Sequence, residues 1–170
     1  MKLVLATRNI GKVKELKEIL NELEIEILTL NDFSIFPETI EDKDTFEGNA
    51  LKKAQEAFNH TGILSIADDS GLEVDVLNKQ PGVYSARFAG ENANAKENNE
   101  KLLSLLKDIP SEKRKANFRC CIALVGEGVK TVSEGICYGK ILDLYRGNNG
   151  FGYDPLFFYE ELGKTFAEMD

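Results

Sequence analysis

The sequence predicts an α/β fold in which a mixed β-sheet is flanked by helices. Three observations lead there. The first part alternates β-type apolar runs with helical periodicity, the later part sets two long β-type runs about a Gly-Glu-Gly turn, and 170 residues suit one domain, residues 1–170.

Lys2 to Thr7 reads as a buried first strand, with Arg8-Asn9-Ile10-Gly11 as the turn that follows. Val13, Leu16, Ile19 and Leu20 then form an apolar stripe at helical spacing, and Lys12, Lys14, Glu15, Lys17 and Glu18 fall largely on the opposite face. Glu24 to Leu30 is the second strand, closing a β-α-β unit. A second amphipathic helix starts near Asp44 or Thr45, either of which can cap it, with Phe46, Ala50, Ala54, Ala57 and Phe58 on its packed side. Asn49 and Lys53 stand four apart and share a face of that helix. The run Ile63-Leu64-Ser65-Ile66 is a short strand ending at Asp68, and Leu72 to Val76 alternates as a half-buried strand does. Pro81-Gly82 marks a turn. Asn92 to Leu106 is helical, core-facing through Leu102, Leu103, Leu105 and Leu106. Ala116 to Val125 and Val129 to Tyr138 form a hairpin across Gly126-Glu127-Gly128.

Composition narrows the function. Hydrophobic residues make up 42% and charged residues 29%, the profile of an ordinary globular protein. A net charge of −8 argues against a general nucleic-acid binder, which needs clustered Lys and Arg to release counterions from phosphates. Apolar stretches fall far short of the roughly 18 residues of a membrane span. No export or anchoring signal is visible, so the expectation is a cytoplasmic protein without membrane association. Cys120, Cys121 and Cys137 lack metal-ligand spacing and read as reduced structural thiols.

The most informative segment is Ala67-Asp68-Asp69-Ser70-Gly71, which sets adjacent carboxylates where an apolar strand is expected to open onto a turn. Asp and Gly are also ordinary turn formers, so these five residues alone admit either a catalytic or a turn-capping reading. Glu41, with Asp42 and Asp44 nearby, adds carboxylates ahead of the second helix; such a charge run is commonly solvated or capping, and the functional reading is that Glu41 faces Asp68 and Asp69 across a cleft and with them holds Mg²⁺, a hard cation that takes carboxylate oxygens, phosphates and water. Thr7-Arg8-Asn9-Ile10-Gly11-Lys12 joins a strand to a helix start, where free backbone N–H groups, the helix dipole and the Lys12 charge suit a triphosphate, although a plain strand-to-helix turn has the same pattern. Gly147 to Pro155 interleaves small residues with Phe151 and Tyr153, so a ring can lie against a purine while Asp154 bonds its edge, or the string can be a packed turn. His60, the single histidine, reads as an exposed helix end; with no other histidine, Ser-His-Asp and Cys-His nucleophilic sites are excluded.

Taken in order, these segments resemble the inosine triphosphate pyrophosphatase family, the non-canonical purine nucleoside triphosphate diphosphohydrolases. The likeness runs over nearly the whole chain, from Leu5–Lys12 through Thr45–Ala50, Ala67–Leu72 and Pro81–Arg87 to Gly150–Pro155 and Lys164–Glu168. It implies an ITPase/Maf-like fold with a central cleft. It also implies a Mg²⁺-dependent cytoplasmic homodimer that hydrolyses ITP, dITP and XTP to the monophosphate and pyrophosphate. Carried over by position, Thr7 to Lys12 (Thr7, Arg8, Asn9, Ile10, Gly11, Lys12) and Lys53 bind the triphosphate, and Glu41 and Asp69 hold Mg²⁺. Asp69 is also the proton acceptor, and Ser70 with Phe151, Gly152, Tyr153 and Asp154 lines the nucleotide site. The family continues past the Lys-Thr-x-Ala-Glu segment to a further lysine and a Ser-His-Arg motif, whereas this sequence stops at Asp170. The competing expectations are a Maf-type pyrophosphatase acting on pyrimidine or modified nucleotides, and a catalytically silent nucleotide-binding module.

Overall fold

The computed structural model describes residues 1–169. Its strands are β1 (Lys2–Leu5), β2 (Glu26–Thr29), β3 (Ser65–Val74), β4 (Lys115–Gly126), β5 (Val129–Ile141), β6 (Phe157–Tyr159) and β7 (Lys164–Thr165), and its α-helices are α1 (Ile10–Ile19), α2 (Phe46–Thr61) and α3 (Ala95–Leu106). The strands form one seven-stranded sheet in the order β2-β1-β3-β4-β5-β6-β7. β1 runs parallel to β2 and β3, while β6 runs antiparallel to β5 and β7. The sheet is mixed, as the sequence predicts. Two compact units make up the chain: Met1–Asp69 with Cys120–Gly135, and Ser70–Arg119 with the chain from Ile136 onward.

In the first unit β1 lies between two parallel neighbours, which explains its near-continuous apolar run. Leu3 and Leu5 of β1 pack with Leu16 of α1, and Val13, Leu20, Ile27, Leu64 and Ile66 close around them. The α1 stripe is narrower than its periodicity suggests, because Ile19 ends the helix and stays 73% exposed. α2 starts where the sequence places it. Thr45 caps it, its Oγ1 accepting from the Gly48 N–H at 3.0 Å. The small residues Ala50, Ala54 and Ala57 are fully buried along one face, and Gly62, at φ 68°, ends the helix in the left-handed conformation that glycine adopts without strain.

The largest departure from expectation is β3. Two strands broken by a turn at Asp68–Gly71 are predicted, and one continuous ten-residue strand is found. Asp68 and Asp69 sit in its middle, 5% and 6% exposed. Aspartate is depleted from strands largely because a buried carboxylate without partners is costly, and here each acid has its own lysine.

The second unit packs Leu72 and Val74 of β3 against Leu102 and Leu106 of α3, with Ile141, Leu156 and Phe157. Phe118, Phe157 and Phe166 form an aromatic cluster with centroid separations of 4.7–5.5 Å. α3 begins three residues later than expected, because Asn94 and Glu97 form a reciprocal capping box of 3.0 and 2.8 Å bonds. Leu105, expected in the core, is 44% exposed: Leu102 and Leu106, four apart, define the buried stripe, and Leu105 falls outside it. β4 and β5 form the expected hairpin with a turn at Glu127-Gly128, where Gly128 takes φ 67°.

Candidate active site

The first unit brings charged side chains together from the start of α1, the loop before α2, the middle of α2 and the middle of β3. The β1–α1 junction is held by its own side chains: Thr7 Oγ1 accepts from the Asn9 N–H (3.2 Å), and Asn9 Oδ1 caps α1 by accepting from the Lys12 N–H (3.3 Å). Arg8 reaches away to donate to the Phe36 carbonyl (2.8 Å), and Ile10 is 86% exposed. One turn into the helix, the Lys12 ammonium lies 2.5 Å from Asp68 Oδ2.

The second cluster centres on Lys53 of α2. Its ammonium lies 2.8 Å from Glu41 Oε1 and 3.5 Å from Asp69 Oδ1, so one cation holds two carboxylates that are 28 positions apart in sequence. Successive residues of a strand leave it on opposite faces, and the paired acids accordingly divide: Asp68 goes to Lys12, Asp69 to Lys53. The other oxygen of Asp69 accepts from Asn49 Nδ2 at 3.1 Å. Burial, reinforced by the Glu41 charge, pushes the Asp69 carboxyl above the ordinary carboxylate value, against the pull of Lys53, Asn49 and Lys12. For Lys53 burial acts downward, but the charges of Asp69, Glu41 and Asp68 outweigh it, and its pKa is raised. The lysine is therefore cationic at neutral pH, and the aspartate is a stronger base than a solvated one.

Among the described residues no three His, Cys, Asp or Glu side chains converge as a ready-made metal cage. Magnesium does not require one, since it is commonly held by one or two carboxylates together with substrate phosphates and water. Glu41 and Asp69 supply hard oxygen donors already gathered about a positive charge, and Asp68 Oδ1 is buried without a hydrogen-bond partner. The donor set fits Mg²⁺, with Glu41 and Asp69 as the pair and Asp68 beside Lys12.

The second unit carries the remaining expected residues. Ser70 follows Asp69 along β3 and is partly exposed. The Gly147–Pro155 loop is folded on itself and tied to the chain beyond it. The N–H groups of Asn148 and Asn149 donate to the Ala167 carbonyl (3.1 and 3.0 Å), and Asp154 Oδ2 accepts from the Phe151 N–H (2.7 Å). Gly150, at φ 71°, is needed here because a Cβ would run into the Asp154 carboxylate. Tyr153 is 5% exposed and its hydroxyl donates to the Ser85 carbonyl at 2.9 Å, so its ring belongs to the core; burial pushes its phenol far above the ordinary value. Phe151, 44% exposed, is the accessible aromatic of the loop. Tyr153→Phe should lower unfolding free energy by about 1–3 kcal/mol through the unpaired Ser85 carbonyl, read from urea denaturation. An unchanged midpoint would show that the hydroxyl anchors nothing.

Two features went unread in the sequence. Asn49, fully buried, carries no local signal beyond its position one helical turn before Lys53. His60 is exposed as expected but is not idle: Nε2 lies 2.8 Å from the Ile35 carbonyl and its ring meets Phe36 edge-on at 4.9 Å, bracing the segment that leads to Glu41.

Fold and site together define an α/β protein that sets lysines against buried carboxylates. The chain belongs to the Ham1 family, whose model matches residues 3–170. It is 56% identical to a protein of Geobacter sulfurreducens named dITP/XTP pyrophosphatase, over 99% of this chain and 85% of that one. A Clostridium perfringens protein of the same name is 52% identical over 99% and 86%. Among solved structures, the HAM1 protein from Coxiella burnetii superposes with a TM-score of 0.91 at 40% identity, covering 100% of this chain and 87% of that one. The nucleoside-triphosphatase / dITP/XTP pyrophosphatase from Mycobacterium abscessus does so with 0.84 at 44%, covering 99% and 89%. No helix among the described residues is long and apolar enough to cross a membrane.

Proposed function

We propose that this protein hydrolyses non-canonical purine nucleoside triphosphates, dITP, XTP and ITP, to the nucleoside monophosphate and pyrophosphate, using Mg²⁺. The observation that carries the reading is the convergence of Glu41 and Asp69 on Lys53 within one compact unit that also holds the Lys12–Asp68 pair. The names of the relatives, more than half identical over nearly the whole chain, point the same way.

In this mechanism Asp69 accepts the proton of the water that attacks the α-phosphorus, a task suited to a carboxylate whose basicity burial has raised. Glu41 and Asp69 would hold the metal, while Asp68, on the opposite face of β3, stays with Lys12. The bound ion would neutralise charge on the phosphate oxygens. Thr7 to Lys12 and Lys53 take the triphosphate: the helix start offers N–H groups, and the two lysines exchange carboxylate for phosphate oxygens. Ser70 and Phe151–Asp154 serve the nucleoside, Phe151 by stacking on the base and the rest of the loop through backbone groups. Assembly as a homodimer and residence in the cytoplasm belong to the same proposal.

Selectivity has a physical basis. Hypoxanthine and xanthine carry a 6-oxo acceptor and an N1–H donor where adenine has a 6-amino donor and a bare N1, so a site that satisfies the former leaves groups unpaired with ATP. The test is pyrophosphate release from dITP, XTP, ITP, ATP, GTP, dTTP and UTP, each with Mg²⁺ and with EDTA. The expected result is kcat/KM for dITP and XTP at least about 100-fold above ATP, abolished by EDTA. A preference for dTTP or UTP would assign the protein to Maf-type chemistry, and saturable binding without turnover would leave a silent binding module.

A further inference from the structure

We propose that Asn49 is a positioning residue for the reaction: its side-chain amide fixes the rotation of the Asp69 carboxylate and ties it to the segment that carries Glu41. The inference rests on the assignment of Asp69 as the base. Asn49 is 0% exposed, in the first turns of α2. Its Nδ2 donates to Asp69 Oδ2 (3.1 Å) and to the Lys43 carbonyl (3.3 Å), while its Oδ1 accepts from the Lys43 N–H (3.0 Å). One amide thus bonds both backbone groups of Lys43, in the manner of a strand partner, and one catalytic oxygen.

The consequence is geometric. With Oδ2 held by Asn49 and Oδ1 facing Lys53, the carboxylate of Asp69 cannot turn about its last torsion without losing both contacts. Lys43 is two residues past Glu41, so the bonds that orient the base also set the path of the chain that presents the second carboxylate. The close approach of that chain to α2 is independently visible at Gly48, where an added Cβ would lie 2.9 Å from Lys43 Cβ, closer than real contacts allow. A buried amide used purely for helix packing has no need to reach across to a carboxylate on another element. Residues that orient first ligands in this way are generally worth about 10–100-fold in activity.

The experiment compares Asn49→Leu, Asn49→Ser and Asn49→Gln with Asp69→Asn, measuring kcat and KM for dITP, thermal midpoint, and the stoichiometry of dITP binding in EDTA. Asn49→Leu should lower kcat about 10–100-fold per binding-competent chain with KM within about threefold, and Asn49→Gln, which keeps the amide, should recover part of the loss. Asn49→Ser keeps the readout available should the larger residue disturb folding. If kcat per binding-competent chain stays within threefold of wild type in Asn49→Leu and Asn49→Ser, the positioning role is lost while Asp69 as base survives. Wild-type turnover in Asp69→Asn would remove both.

Discussion

Asp69→Asn should cut turnover of dITP by about 10²–10⁴-fold while leaving the nucleotide bound, because a positioned general base contributes about that much and the amide cannot take a proton. Size and burial are conserved, and the amide oxygen can still face Lys53. Stability should follow the protonation of the carboxyl that is replaced. The folded-state pKa of Asp69 is raised, with burial as the leading cause, so the folded protein holds this proton more tightly than the unfolded chain does. The stability so gained is fully present below the ordinary value of 3.8 and is lost as pH rises through the folded-state value. At pH 7 the ionised carboxylate is consequently a net cost to the fold. Asparagine removes that cost but, with its oxygen toward Lys53, sets its amide nitrogen against the Asn49 amide donor, so the midpoint of the variant relative to wild type should rise as pH goes from 3.8 to neutral. Turnover like that of wild type would take Asp69 out of the base role. A relative midpoint that falls over the same pH range would mean that its charge supports the fold.

The parts of this architecture that sequence could reveal are those decided locally. Thr45 before an apolar period, Gly62 after it, and Glu127-Gly128 between alternating runs each satisfy a backbone need within a few residues, and each element is where its signals put it. β3 is different. Asp-Asp-Ser-Gly reads locally as a break, and only Lys12, Lys53 and Asn49, distant in sequence, make a buried strand with two acids affordable. The short strands β6 and β7 are equally illegible, since three and two residues carry no periodicity. For the same reason Tyr153 reads as a ligand-facing aromatic although its hydroxyl is engaged by Ser85, 68 positions away. Residue types announced which groups matter in the first unit. They could not announce that the two carboxylates meet at an ammonium, because the partners of a charge are a tertiary property.

That ammonium is the source of the second large effect. Lys53→Met should destabilise the metal-free protein by about 3–5 kcal/mol, toward the lower figure because Glu41 is partly exposed, since it leaves two carboxylates facing one another without a cation. The thermal midpoint in EDTA reports the loss. Magnesium should then do what the lysine did: an ion that binds the folded state adds stability as RT ln(1 + [L]/Kd), so titrating Mg²⁺ should raise the midpoint of the variant further than that of wild type, where the ammonium already occupies the carboxylates. Activity separates this from a packing defect. Methionine fills a similar volume without a charge, so the variant at saturating Mg²⁺ should refold to a stable protein whose KM for dITP is raised about tenfold or more by the missing contact to phosphate. Lys53→Arg, which keeps the charge, should be stable in EDTA without Mg²⁺. Equal midpoints for wild type and Lys53→Met in EDTA, or an equal response of both to Mg²⁺, would show that Glu41 and Asp69 are not held together by this cation and that the metal site does not lie between them.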